Sequence, residues 1–210
     1  MSSTTPPAAD KPEWTWDIAR LFPPQGQWSE GSYLSFTESL NQLVEVVDGR
    51  VEVLEIPTKS HQKIVQYLLQ LVLAFLSDRR LGDAISAPYR IRLRDQTFRE
   101  PDIVVYLNEH LSQFGERYGE GADLVMEVVS GDSASRVRDY EDKRRDYSQA
   151  GITEYWIVDP DQSKIVVMKL EGSDYTTLGE FAVGDEAVSE LLSGFRVDVG
   201  QTLCPSTSAG

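Results

Sequence analysis

The sequence predicts an α/β domain built around a central mixed β-sheet flanked by helices. Three observations predict it. A long run at helical spacing lies between residues 60 and 79. Two apolar, strand-like runs follow, PDIVVYL (101–107) and ADLVMEVVS (122–130). A second helix-like stretch then leads into two more β-rich runs, so helices and strands alternate as they do in α/β folds.

Residues 1–12 are rich in Ser, Thr, Pro and Ala and are expected to be disordered. Residues 13–40 read as an extended arm ending in a short helix. Trp14, Trp16 and Trp28 surround Pro23-Pro24, and SFTESLNQL (35–43) offers Ser35 or Thr37 as a cap. The folded domain is expected over 41–200, with a tail at 201–210. VEVVDGRVEVLEI (44–56) is a hairpin signal, because two β-branched runs flank Asp48-Gly49, a favoured type I′ turn pair. In the first long helix Ile64, Val65, Leu68, Leu69, Val72, Leu73 and Leu76 form the apolar stripe, with Ser60 as the expected N-cap.

YRIRLRD (89–95) alternates Arg90, Arg92 and Arg94 with Ile91 and Leu93, the pattern of a half-exposed strand. Residues 134–150 form a polar helix ending at Gly151. EYWIVDP (154–160) and KIVVMKL (164–170) are strands joined by an Asp-Pro-Asp turn, and FRVDV (195–199) supplies a last strand.

Composition bounds the function. A chain of 210 residues with 40% apolar content can bury one core. It has no apolar run long enough for a transmembrane helix and no signal-peptide order at its start. The single cysteine, Cys204, forms no internal disulfide. A cytoplasmic protein with no membrane partner is expected. The net charge of −14 argues against a general nucleic-acid binder, but it is unevenly spread. Residues 1–58 carry 3 basic and 9 acidic side chains, residues 59–145 carry 14 of each, and residues 146–210 carry 3 and 11. The neutral middle segment holds the residues with most chemical promise.

Those residues are carboxylates inside apolar strands. Asp102 opens one strand, Glu127 sits within another, and Lys143 follows 16 residues later on the polar helix. A buried carboxylate is costly unless a partner or a metal compensates it. If the two strands are neighbours, alternate-residue geometry brings Asp102 and Glu127 onto one face. Oxygen ligands of this kind suit Mg²⁺, and Mn²⁺ could replace it. The bland alternative is that Asp102 caps a turn and Glu127 pairs with an arginine. On chemistry alone both readings stand.

These pieces resemble a known superfamily. The PD…E arrangement looks like that of the PD-(D/E)XK nucleases. More closely, the chain is similar to the Uma family of restriction-endonuclease-like proteins, widespread in cyanobacteria. The likeness rests on LVEVVDGRVEV, SHQKI, PDIVVYL, DLVMEVVS, DYEDKRRDY and AGITEYWIVDP, spanning roughly 40–170.

The resemblance implies a restriction-endonuclease-like core and a Mg²⁺-dependent endonuclease acting on DNA. A homodimer is the expected assembly, because two sites suit the cutting of two strands and the N-terminal arm offers a swap element. Asp102 and Glu127 would match the acidic motif residues, and the Val128 carbonyl would be a further metal ligand. The chain departs from the superfamily at position 129, which is valine instead of lysine; Lys143 matches the family's migrated lysine. Its neighbours Tyr140 and Tyr147 are expected on its face of the helix.

Glu45 would be an additional acid from an early element, whereas Glu52 reads as an ordinary strand carboxylate. His61 would contact phosphate or order a water, or else simply start a helix. Arg136, Arg138, Arg144 and Arg145 would contact phosphate, and their alternative is pairing with the nearby acids Asp139, Glu141, Asp142 and Asp146. The competing overall reading is a catalytically silent restriction-fold module for binding or oligomerisation.

Overall fold

The structure, a computed structural model, describes residues 22–38, 43–131 and 133–205. The expected tail at 1–12, together with Trp14 and Trp16, lies outside them. Helix α1 (Glu30–Glu38) leads to the hairpin β1 (Val44–Val47) and β2 (Arg50–Val53), and helix α2 (Lys59–Arg79) follows. Strands β3 (Gly82–Ser86), β4 (Ile91–Arg94), β5 (Thr97–Arg99) and β6 (Ile103–Leu107) come next. A 3₁₀ segment (Asn108–Gln113), β7 (Gly119–Glu120) and β8 (Leu124–Val128) precede the second helical region. That region comprises α3 (Ser133–Val137), a wide π-helical turn (Arg138–Asp142) and α4 (Lys143–Gln149). The chain closes with β9 (Glu154–Asp159), β10 (Lys164–Glu171), β11 (Asp174–Ala182), β12 (Glu186–Val188), β13 (Arg196–Asp198) and α5 (Val199–Leu203).

Six strands form the main sheet in the order β11-β10-β9-β8-β6-β3, parallel only between β8 and β9. A smaller sheet runs β2-β1-β5-β4-β7. One face of the main sheet carries Ile103, Val105, Leu124, Met126, Trp156 and Val158, and it packs on Ile64, Leu68, Val72 and Leu76 of α2. The other face carries Val104, Tyr106, Val125, Tyr155 and Ile157, and it packs on α4 and on Tyr89 and Ile91 beside the smaller sheet. The main sheet is therefore covered on both sides, and its central strands read as nearly unbroken apolar runs for that reason.

Several local expectations meet a physical test. Asp48 and Gly49 both have positive φ, +48° and +72°, as a type I′ turn requires. Helix α2 starts earlier than Ser60: Thr58 is the N-cap, and its hydroxyl accepts the His61 N–H at 3.2 Å. Thr58 has the extended backbone a cap needs, while Ser60 already lies inside the helix.

The first short helix also begins earlier, at Glu30 instead of near residue 35, so Ser35 and Thr37 fall within it. The Thr37 hydroxyl bonds back to the Tyr33 carbonyl at 2.9 Å and caps nothing. Residues 39–42 lie outside the described part. Trp28 and Tyr33 pack with Val44, Val46 and Phe98, so residues 22–38 are built onto the smaller sheet. At the other end, residues 201–203 belong to α5, capped by Asp198 through the Gln201 N–H at 2.7 Å. The expected tail at 201–210 therefore starts too early.

Candidate active site

The register that pairs Ile103 with Met126 and Val104 with Val125 places Asp102 opposite Glu127 when carried one step further. Opposed residues in an antiparallel pair share a face. The Asp102 carboxylate accepts the Val128 N–H at 2.8 Å, which fixes it beside the end of β8. His61, in the first turn of α2, pairs its Nε2 with the same carboxylate at 3.2 Å. Its Nδ1 is buried without a partner.

Lys143 comes from the opposite layer. Its amine is 2.8 Å from Glu127, 3.5 Å from Asp139 and 3.8 Å from Glu45, and it is only 3% exposed. Tyr147, one turn along α4, donates to Glu127 at 2.5 Å. Tyr140 departs from expectation: its hydroxyl turns to Asp159 at 3.0 Å. The wide turn before Lys143, closed by the Lys143 N–H on the Arg138 carbonyl, shifts the helical phase. Asp139, four residues before Lys143, takes the facing place.

Glu45 is fully buried on β1, opposite Arg99 in the β1–β5 register. One oxygen accepts from Arg99 at 2.6 Å and the other from the Glu100 N–H at 2.9 Å. Arg99 also grips Asp146 of α4 through two nitrogens at 3.1 and 2.6 Å. Both Glu45 oxygens are thus committed, and its reach into the site is through the charge of Lys143.

The electrostatics follow from this packing. Burial raises the Glu45 carboxyl, but Lys143, Arg99 and the Glu100 N–H outweigh it and hold it down to about 2. For Lys143, burial works against the charge, yet Glu127, Glu45, Asp139 and Asp102 raise its pKa. Glu127 is raised by burial and by Asp102 and Asp139, which Lys143 opposes. Asp139 is raised by burial as well. Burial lifts Glu100 to about 7. The pocket holds more acid than its cations offset.

A small pocket of about 40 Å³ opens among His61, Asp102, Glu127, Val128, Asp139 and Lys143, with Arg138 on its wall. By that measure it holds about three waters.

Other sequence candidates fall elsewhere. Arg136 pairs with Asp159 and, at 3.4 Å, with Asp161. Arg144 donates to the Tyr175 carbonyl at 2.8 Å and pairs with Asp174 on β11. Neither lines the pocket; Arg138 does, paired loosely with Glu52 at 3.5 Å. Glu52 is half exposed, as an ordinary strand carboxylate should be. Val129 is buried in the apolar cluster under α4. Arg138 was expected among the phosphate-contacting arginines, but Asp139 only as an acid that pairs with them, although it stands four residues before Lys143, a spacing that marks one helix face.

Comparison with known proteins adds the following. Residues 24–200 match the family described as "Uma2: Putative restriction endonuclease". Among solved structures, the chain resembles the crystal structure of a "putative nuclease belonging to DUF820" from Anabaena variabilis ATCC 29413. The TM-score is 0.64 at 16% identity, covering 81% of this chain and 97% of that one. At that identity the likeness speaks for the fold. Among curated proteins none matches.

Proposed function

This chain belongs to the Uma2 family, and on that premise we propose that it is a Mg²⁺-dependent endonuclease hydrolysing phosphodiester bonds in DNA. The observation that carries this reading is the buried Lys143 amine, 2.8 Å from Glu127 on a strand whose neighbour starts just after Asp102. A nuclease needs acids and one cation gathered at a point open to a phosphate. Three separate elements deliver them here.

The donor chemistry fits a hard divalent cation. Among the described residues no three His, Cys, Asp or Glu side chains converge as a ready cage. Mg²⁺ commonly takes one or two carboxylates and completes its shell with water and phosphate oxygens. Asp102, Glu127 and the Val128 carbonyl are the residues that would hold it, and the raised Glu127 and Asp139 carboxyls show an acid excess that a cation relieves. When bound, the ion would supply Lewis acidity toward the phosphate and acidify water.

The chain's own residues do the rest. Lys143, kept protonated by its acids, is a donor that stabilises charge on the phosphate as water adds to phosphorus and an ester oxygen leaves. Glu45, locked by Arg99, positions that amine. His61 steadies Asp102 through Nε2. Arg138 supplies positive charge at the mouth. Cutting both strands suits a homodimer, which brings two sites.

The test is nicking of supercoiled plasmid by purified protein with Mg²⁺ or Mn²⁺. Asp102→Ala and Lys143→Ala should each abolish it, and activity that survives both overturns the reading. One observation favours the silent-module alternative: Tyr147 and Lys143 already engage both Glu127 oxygens. Titration calorimetry with Mn²⁺ separates the two, since a silent site binds nothing at millimolar metal.

A further inference from the structure

Cations in this acidic chain are mostly neutralised by a neighbour. Arg90, Arg92, Arg94, Arg99, Arg117, Arg136, Arg138, Arg144, Arg145, Arg196, Lys143, Lys164 and Lys169 all face acids within 4 Å. Lys59 and Lys63, like Arg50 and Arg80, face no carboxylate within 4 Å among the described residues. What sets the two lysines apart is that they stand together at the start of α2, whose first turn carries no acid. A 21-residue helix ordinarily draws carboxylates to its positive end. Here that end keeps its positive potential and adds two lysines.

Lys59, Gln62, Lys63 and Gln66 follow the spacing i, i+3, i+4, i+7 and share one face of the helix. With Val65, Leu69 and Ser86 they line a groove of about 330 Å³. The groove adjoins the candidate active site at the end of β3. Ser86 is followed by Ala87, which lines the site pocket and whose N–H donates to the Asp102 carbonyl at 3.1 Å.

We propose that this groove is a backbone-phosphate subsite, in which Lys59 and Lys63 hold the DNA strand beside the phosphate to be cut. The inference rests on the endonuclease reading above and deepens it by naming where the strand runs. The lysines would act as point charges, and Gln62 and Gln66 as neutral hydrogen-bond partners for phosphate or sugar oxygens. The contact is with backbone and carries no sequence information, so it positions the strand without selecting a base.

The experiment is fluorescence anisotropy of a labelled DNA duplex over a range of salt, without divalent cations so that no strand is cut. Lys59→Gln and Lys63→Gln should each make the slope of log K against log salt shallower by about 1, and the double change by about 2. Arg50→Gln, which removes a cation on the exposed hairpin, should leave the slope unchanged. Circular dichroism checks that every variant keeps its fold. Wild-type binding whose slope the lysine changes leave intact overturns the subsite while sparing the endonuclease reading, and so does an Arg50→Gln loss as large as theirs. No binding by the wild type overturns both.

Discussion

Arg99 illustrates how far one buried residue can matter. It spans Glu45 on the small sheet and Asp146 on α4, and all three side chains are excluded from water. Removing one member of such a pair leaves uncompensated charge inside the protein. Arg99→Ala should therefore cost about 3–5 kcal/mol, measured as a lowered urea midpoint. Glu45 adds a pH signature. Its folded pKa is depressed from 4.5 to about 2, so its contribution is present above pH 4.5 and is lost as pH falls toward 2. Glu45→Gln should lower stability at neutral pH and flatten the loss between pH 4.5 and 2, followed by thermal unfolding across that range. Asp102 and Glu127 were legible because charge marks otherwise apolar runs, and Lys143 because it matches the family's migrated lysine. Arg99 was not, since an arginine ending a short strand has no pattern to mark its burial.

Among the elements, α2 does two jobs. Its apolar stripe covers one face of the main sheet, and its first turn presents His61 to Asp102. Thr58 links the two, because its hydroxyl caps the helix by accepting the His61 N–H itself. Thr58→Ala should cost about 1 kcal/mol of stability, read from denaturant unfolding, and should also reduce nicking activity by loosening His61. The helix was plain from periodicity, yet its cap was misplaced by two residues. A sequence shows which hydroxyls are near a helix start, and only the backbone angles show which one lies outside it. The wide turn at Arg138–Asp142 was equally hidden. It replaces the expected Tyr140 with Asp139 at Lys143, and nothing in the residue types announces an extra residue in a helical turn.

For the molecule as a whole, electrostatics sets the terms on which a polyanion approaches. The net charge is −14, and Glu55 stands at the rim of the site pocket. Glu55→Gln should tighten DNA binding several-fold at low salt, with the gain fading as the Debye length contracts to about 3 Å near 1 M. An unchanged affinity in the titration would count against this pocket as the contact surface. At the same place the Glu45–Arg99–Asp146 bridge ties the smaller sheet to α4, and α4 packs on the main sheet through the apolar layer around Val104, Tyr147 and Tyr155. No helix among the described residues is long and apolar enough to cross a membrane.

The sequence by itself determined the class of the fold, the type I′ hairpin, the long amphipathic helix and the strands that carry Asp102 and Glu127. Each of these is written in local period and residue type, where side-chain spacing of 2 or 3.6 acts directly on the chain. Tertiary structure alone decided that β6 and β8 are neighbours in the register that opposes the two acids. It also decided that Glu45 is spent on Arg99, that Arg136 and Arg144 face away, and that Lys143 reaches Glu127. Those outcomes depend on which distant segments share a desolvated space, where charges must pair or shift their protons. That pairing is a property of the packed interior and is not carried by any stretch of sequence.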